Sequence, residues 1–166
     1  SFFRISLRYA DFKIPIAIHK QLMAERHEKS EKISNVVAMC QSMVKTVIFT
    51  QHSIVLPLLA TELACNHISF VVLQGKMTIR QREKVIETFH NDNTRVFIMC
   101  LKTKSFGVDL SNAQQIIFTE PIQDMALKKQ AISRVVKIGN KNKVVIKTLF
   151  TQNTIDDLEY NTLINI

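Results

Sequence analysis

Short apolar runs rich in valine, isoleucine and phenylalanine recur along the chain. They occupy residues 45–50, 68–73, 95–100, 114–119 and 143–150. Each run is bounded by polar residues, and each is too continuously apolar for a strand that keeps one face in water. The pattern therefore predicts the strands of a sheet that is buried on both faces.

Helical patterns separate these runs. Ser53 can cap a helix through Cys65, Thr78 with Gln81 has the signature of a capping box, and a further helix is predicted over 30–43. Alternating strands and helices with right-handed crossovers predict a three-layer α/β fold around a parallel sheet. In such folds the functional groups gather at the carboxyl ends of the strands.

The two ends of the chain carry weaker signals. Pro15 can open a helix that runs to about His27, and Thr154 with Asp157 forms a second capping box before the C-terminus. We therefore predict a helical extension or connector over residues 1–29 and one domain over residues 30–166. The start of the chain has no initiator Met and no secretory pattern, which suggests a fragment of a larger protein.

Composition narrows the class of protein. With 166 residues and 46% hydrophobic residues, the chain suits one globular core. No run approaches the roughly 20 apolar residues of a membrane span, so we expect a soluble protein without a membrane partner. The three cysteines lie in apolar sequence, which is typical of buried thiols in a reducing compartment. The histidines lack metal-ligand spacing, and we assign no metal site.

The charge is strongly uneven along the sequence. The net charge is +8, and between Lys128 and Lys147 seven cations follow one another without an acid. Such a patch favours phosphate, either of a nucleic acid or of a nucleotide, although an ordinary solvated surface is the alternative.

The segment QAISRVVKIGN, residues 130–140, lies within this basic stretch. At about 100° per residue, a helix places Gln130, Arg134 and Lys137 within roughly 60° of one another, opposite an apolar arc. We predict that this helix ends at Gly139 and that its cationic edge faces either water or phosphate.

A complete nucleotide site is missing from the sequence. A phosphate-binding loop needs closely spaced glycines before Lys and Ser or Thr, and Gly75-Lys76-Met77 has neither the first glycine nor the hydroxyl. Glu120 could resemble a magnesium-associated acid, but Pro121 follows it and a strand-capping role is favoured. The chemistry that remains is a half-site, in which a cation is delivered across an interface as an arginine finger.

From about residue 30 onwards the chain resembles the second RecA-like lobe of the SWI/SNF-like ATPases, which are superfamily 2 motors that translocate on double-stranded DNA. KTVIFTQ (45–51) resembles motif IV, LQGKMTIRQREKVIETF (73–89) the segment after it, LKTKSFGVDLSNAQQIIFTEP (101–121) motif V, QAISRVVKIGN motif VI and TIDDLEYN the closing helix. The Glu-Pro-Ile of residues 120–122 is most similar to the RING-containing ubiquitin-ligase members.

The resemblance implies roles for residues of motifs V and VI. Arg134 would be the arginine finger, Lys137 a weaker second cation and Gln130 a positioning hydrogen-bonding group. ATP and Mg²⁺ would be bound mainly by a missing N-terminal RecA-like lobe of the same protein, with Gly107 and Asp109 in contact with the cofactor.

The resemblance also implies partners. Double-stranded DNA or nucleosomes would run along the lobe interface, contacted by Thr103, Lys104, Ser105 and Gln51. Ubiquitin-conjugating machinery is a further expected partner, and the expected location is the nucleus.

The chain departs from the family pattern at several of these positions. Lys137 replaces the second arginine of motif VI, Lys104 and Ser105 replace glycines of motif V, and Asp109 replaces an asparagine. Lysine keeps the charge of arginine but loses its planar fork. Two functions therefore remain open: a lobe of an ATP-dependent DNA translocase, inactive on its own, and a scaffold lobe that has lost hydrolysis.

Overall fold

The computed structural model describes residues 31–91, 93–103, 107–138 and 143–150. In chain order the elements are α1 (Glu31–Met39), β1 (Thr46–Thr50), α2 (Val55–Cys65), β2 (Phe70–Leu73), α3 (Ile79–Asn91), β3 (Val96–Cys100), β4 (Gln115–Phe118), α4 (Met125–Ser133) and β5 (Val145–Thr148). The strands coincide with the predicted apolar runs. The extension predicted over residues 1–29 and the closing helix at Thr154 lie outside the described residues.

The strands form one parallel sheet in the order β2-β3-β1-β4-β5. Thr46 opens the central strand and pairs in register with Val96 on one side and Gln115 on the other. The predicted parallel α/β architecture is confirmed. It brings the carboxyl ends of all these strands to one edge of the sheet.

The core lies on both faces of the sheet, as the continuous apolar runs require. On one face, α1 and α2 pack over side chains such as Ile48, Ile98 and Ile117. On the other, α3 and α4 pack over a cluster that includes the stacked rings of Phe49 and Phe118, 5.5 Å apart. The domain therefore has three layers, helix on sheet on helix.

Two of the helix starts test the capping predictions. The capping box of α3 is confirmed, because Gln81 Oε1 accepts from the Thr78 backbone N at 2.8 Å and Thr78 Oγ1 accepts from the Gln81 N at 3.3 Å. The prediction for Ser53 is wrong. Ile54 occupies the N-cap position of α2 without a side-chain cap, and Ser53 contributes only its carbonyl, which accepts from Leu56 N at 3.2 Å.

The helix predicted from residue 130 ends earlier than expected. Helix α4 stops at Ser133, with Arg134 as its C-cap, so the prediction of a helix up to Gly139 is wrong within the described residues. The backbone N–H of Leu110 donates to the Arg134 carbonyl at 2.8 Å, and Val135 is fully buried. A long-range hydrogen bond and a core side chain thus take the place of another helical turn.

Two composition-based expectations can be compared with the fold. None of the helices within the described ranges reaches the length and apolarity of a membrane-spanning segment. Cys40 and Cys100 are buried free thiols, as predicted, whereas Cys65 is only partly buried. Burial raises the pKa of the Cys40 thiol to about 12, which keeps it protonated at neutral pH.

Glu120, directly after β4, is 5% exposed and ties two strand ends together. Its carboxylate accepts hydrogen bonds from the Thr50 hydroxyl at 3.2 Å, from the Gln51 backbone N–H and from the Thr119 hydroxyl. The strand-capping role preferred for Glu120 is confirmed. Both of its carboxylate oxygens accept hydrogen bonds from donors within the lobe.

We expect Glu120→Ala to lower the free energy of unfolding by about 3 kcal/mol, because it leaves buried donors without an acceptor. Urea unfolding of the variant and the parent chain measures this. The control is Glu87→Ala on the exposed side of α3, which should change stability by less than about 0.5 kcal/mol. Equal effects of the two substitutions would contradict the structural role of Glu120.

Candidate functional site

A cavity of about 490 Å³ opens at the carboxyl end of β3. One wall is the chain that follows this strand, residues 101–103 with 107 and 108, and the opposite wall is α4 with the turn after it. From the second wall come Leu127, Gln130, Ser133, Arg134 and Lys137.

The cavity brings together five of the residues singled out from the sequence. Thr103, Gly107, Gln130, Arg134 and Lys137 all line it, although sequence reasoning had divided them between nucleotide and DNA. Five other lining residues were not anticipated: Leu101, Lys102, Val108, Leu127 and Ser133. Four of them lie within motifs V and VI, which was their only sequence signal, and Leu127 lies between the two motifs.

The remaining predicted residues lie elsewhere. Asp109 is not part of the cavity lining but lies beside Lys137. Gln51 is half-buried, and its side-chain amide donates to the Pro121 carbonyl at 3.3 Å. Lys104 and Ser105 lie outside the described residues.

The backbone around Gly107 shapes the first wall. Gly107 has φ +76°, a left-handed conformation that a side chain disfavours. The chain then buries Val108 and Leu110 and bonds to the end of α4 through Leu110 N. This path fixes the wall carrying Thr103 against the wall carrying Arg134.

Arg134 is half-buried, and its guanidinium reaches back towards the sheet. Its Nη1 lies 3.5 Å from the Met99 sulfur, a weak acceptor. Within the described part of the chain no carboxylate comes within salt-bridge distance of it. Burial lowers the pKa of Arg134, but an arginine remains charged at neutral pH. A partly desolvated cation therefore faces the cavity, and the described residues supply no counter-charge for it.

Lys137 is placed differently from Arg134. Its Nζ lies 3.9 Å from Asp109 Oδ1, and the two side chains are 46% and 55% exposed. Hydrogen bonds from Ser111, including one from its backbone N–H at 2.9 Å, lower the pKa of Asp109, and the charges of Lys137 and His90 add to this effect. Asp109 is therefore a carboxylate at neutral pH and can pair with the Lys137 ammonium.

The loop after β2 supports the rim of the cavity beside Thr103. A side chain at Gly75 would put its Cβ 3.9 Å from Thr103 Oγ1, an ordinary contact distance. Arg82 holds this loop by donating to the Gly75 carbonyl at 3.0 Å and to the Met77 carbonyl at 3.3 Å. The ends of β2 and β3 thus form one continuous rim.

The cavity has the donor set of an anion site. Its described lining offers three cations, Lys102, Arg134 and Lys137, with the Gln130 amide and the hydroxyls of Thr103 and Ser133, and it contains no carboxylate. These groups fit phosphate oxygens and do not fit a divalent cation, which prefers carboxylate ligands. No group of three or more His, Cys, Asp or Glu in the described ranges is arranged to hold a metal ion. A parallel α/β lobe with this donor set at its strand ends, and without a phosphate-binding loop in its described residues, has the features of a second RecA-like lobe.

Comparison with known proteins identifies the family. Residues 28–139 match the family described as the helicase conserved C-terminal domain, and this range contains the whole cavity lining. The chain belongs to this family. The predicted helicase C-terminal lobe of the SWI/SNF-like class is confirmed.

Individual relatives agree with this assignment. The chain is 32% identical over 114 residues to the DNA repair protein RAD5A of Arabidopsis thaliana, covering 68% of this chain and 11% of the relative. It is also 32% identical over 114 residues to the ATP-dependent helicase rhp16 of Schizosaccharomyces pombe, covering 68% of this chain and 13% of the relative. The chain thus spans only a small part of these curated relatives.

A solved structure supports the fold. The crystal structure of the C-terminal part of the Fun30 ATPase domain is similar to this chain with a TM-score of 0.74 and 25% sequence identity. The similarity covers 80% of this chain and 45% of that one.

We expect Arg134→Met to leave the free energy of unfolding unchanged within about 0.5 kcal/mol, or to raise it slightly, because an unpaired desolvated charge gives way to an apolar group of similar length. Urea unfolding checks this. Arg95→Met, at the opposite end of β3, is the control for the general effect of losing an arginine. A loss well above 1 kcal/mol at position 134 alone would show that Arg134 serves the fold.

Proposed function

We propose that this chain is the second motor lobe of an ATP-dependent translocase on double-stranded DNA and that Arg134 is its arginine finger. The observation that carries this proposal is the half-buried guanidinium of Arg134, which faces the cavity with no carboxylate partner among the described residues. A cation that serves only the fold would be expected to have a counter-charge.

In this proposal ATP and Mg²⁺ are held mainly by an N-terminal RecA-like lobe, which closes over the cavity. Mg²⁺ there neutralises phosphate charge when bound. Arg134 offers a planar fork to the γ-phosphate oxygens, on which charge develops as the phosphoryl group transfers. Gln130, one turn earlier on α4, positions phosphate or water through its amide. Lys137 adds a point charge, and Gly107 lets the backbone come close.

DNA would follow the rim at the carboxyl ends of the strands. Thr103 lies on this rim, and we propose Lys104, Ser105 and Gln51 as further contacts to the phosphate backbone. Gln51 must first release the Pro121 carbonyl. Lys102 is exposed beside Thr103 and joins the same track. Contacts of this kind are independent of sequence and suit duplex DNA or nucleosomes. We propose the nucleus as the location, as the resemblance to the SWI/SNF-like motors implies.

A scaffold lobe without hydrolysis is the second candidate function. The pairing of Lys137 with Asp109 favours it, because one of the cavity cations is already paired with a carboxylate of the same lobe. Such a lobe would dock DNA, chromatin or ubiquitin-conjugating machinery, as in the RING-containing members that the Glu-Pro-Ile segment resembles. We also propose that residues 1–29 are a connector and that the lobe begins near residue 30, close to the start of the family match at residue 28.

The first test is the DNA-stimulated ATPase activity of the full-length protein. We expect Arg134→Ala to lower kcat by about 10³-fold, because the finger acts in the transition state. Arg95→Ala, at the amino end of β3 and away from the cavity, should keep the parental rate. Absence of turnover in the parental protein would favour the scaffold, and equal rates in parent and Arg134→Ala would refute the finger.

The DNA track predicts a strong dependence on salt. Raising salt from about 50 to 200 mM should weaken duplex binding by the full-length protein more than about tenfold, because phosphate contacts release counterions. Fluorescence anisotropy with a labelled duplex gives the Kd at each salt concentration. The slope should fall in Lys102→Ala and stay unchanged for duplexes of different sequence. A Kd that does not change with salt concentration would contradict the proposed contacts to the DNA backbone.

A further inference from the structure

The ion pair between Lys137 and Asp109 joins a residue of the cavity to a residue outside its lining. Lys137 lines the cavity and Asp109 does not, yet their charged atoms are 3.9 Å apart. The carboxylate therefore holds the ammonium at the outer limit of the site. A phosphate in the cavity and Asp109 would draw the same charge in different directions.

Asp109 is fixed in place by three contacts. Its carbonyl lies 2.8 Å from His90 Nε2 at the end of α3, and its carboxylate accepts from Ser111 N at 2.9 Å. The next residue, Leu110, donates to the carbonyl of Arg134, which binds the Asp109 segment to the turn carrying both cations. Lys137 has a long flexible side chain, so the carboxylate sets where the ammonium rests.

We propose that Asp109 is a positioning residue that acts as an internal substitute for phosphate, pairing with Lys137 until a nucleotide phosphate displaces it. Arg134 is then always available to a phosphate, whereas Lys137 becomes available only when it leaves Asp109. The proposal rests on the proposed nucleotide role of the cavity. Both members of the pair are about half exposed, so the pair is weak enough for a phosphate to compete with it.

The test is carried out with the full-length protein and a fluorescent non-hydrolysable ATP analogue with Mg²⁺. We expect Asp109→Asn to tighten analogue binding by about two- to fivefold at low salt, the range for an exposed pair. Asparagine keeps an oxygen for Ser111 N, so the loop is preserved. The gain should shrink as salt approaches about 0.5 M. With ATP, KM should fall in parallel.

Two variants distinguish the pair from a general charge effect. In a Lys137→Met background, Asp109→Asn should have no further effect, because its action runs through Lys137. Asp124→Asn makes the same isosteric change and removes the same charge at the exposed N-cap of α4, where asparagine also caps well, so it should leave affinity unchanged.

The possible outcomes separate this inference from the function on which it rests. Tighter binding in Asp109→Asn that is lost in the double variant supports the pair, even if the parental protein shows no ATP turnover. The ion-pair proposal is overturned if Asp109→Asn leaves the affinity unchanged, or improves it equally when position 137 is methionine. The arginine-finger proposal is tested separately, by Arg134→Ala. If the parental protein binds no analogue, both proposals are overturned.

Discussion

The candidate site depends on one backbone hydrogen bond, from Leu110 N to the carbonyl of Arg134. It joins two segments that are distant in sequence, the one before β4 that contains Leu110 and the turn at the end of α4. Because this bond and the burial of Val135 replace a further helical turn, the chain turns out of α4 at Arg134. The guanidinium then reaches the Met99 sulfur, and Lys137 comes to lie beside Asp109. Without that junction the two walls of the cavity would have no fixed spacing.

Arg134 and Lys137 differ in environment more than in charge. Arg134 is half-buried without a carboxylate among the described residues, where the effective dielectric is low and a phosphate oxygen gains much from it. Lys137 is about half exposed and already has a partner, so water and Asp109 reduce what a phosphate gains. At the proposed phosphate site, lysine in place of arginine at position 137 would therefore weaken binding without abolishing it, which is why both candidate functions keep a physical basis.

The sequence predicted correctly those elements that depend on neighbouring residues alone. Continuous apolar runs predicted the strands because both faces of the sheet are buried, and the Thr78–Gln81 capping box formed as predicted because it needs only four consecutive residues. The wrong cap at Ser53 is a local error. The other errors arose where distant residues intervene. The end of α4 depends on Leu110, which no helical periodicity around residue 134 can report. The contact between Lys137 and Asp109 likewise follows from that junction, so both residues were singled out but their pairing was not.

Arg134 and Lys137 lie at and after the end of α4, beside a core cluster that includes neither of them. Phe49, Phe118 and their neighbours bury the sheet on both faces, whereas Arg134 and Lys137 serve the open rim. A lobe that lost either cation would therefore keep its apolar surface covered and present nothing for chaperones or proteases to recognise. Such a variant would persist at normal abundance, so a defect at this site would change what the lobe does and not how much of it is present.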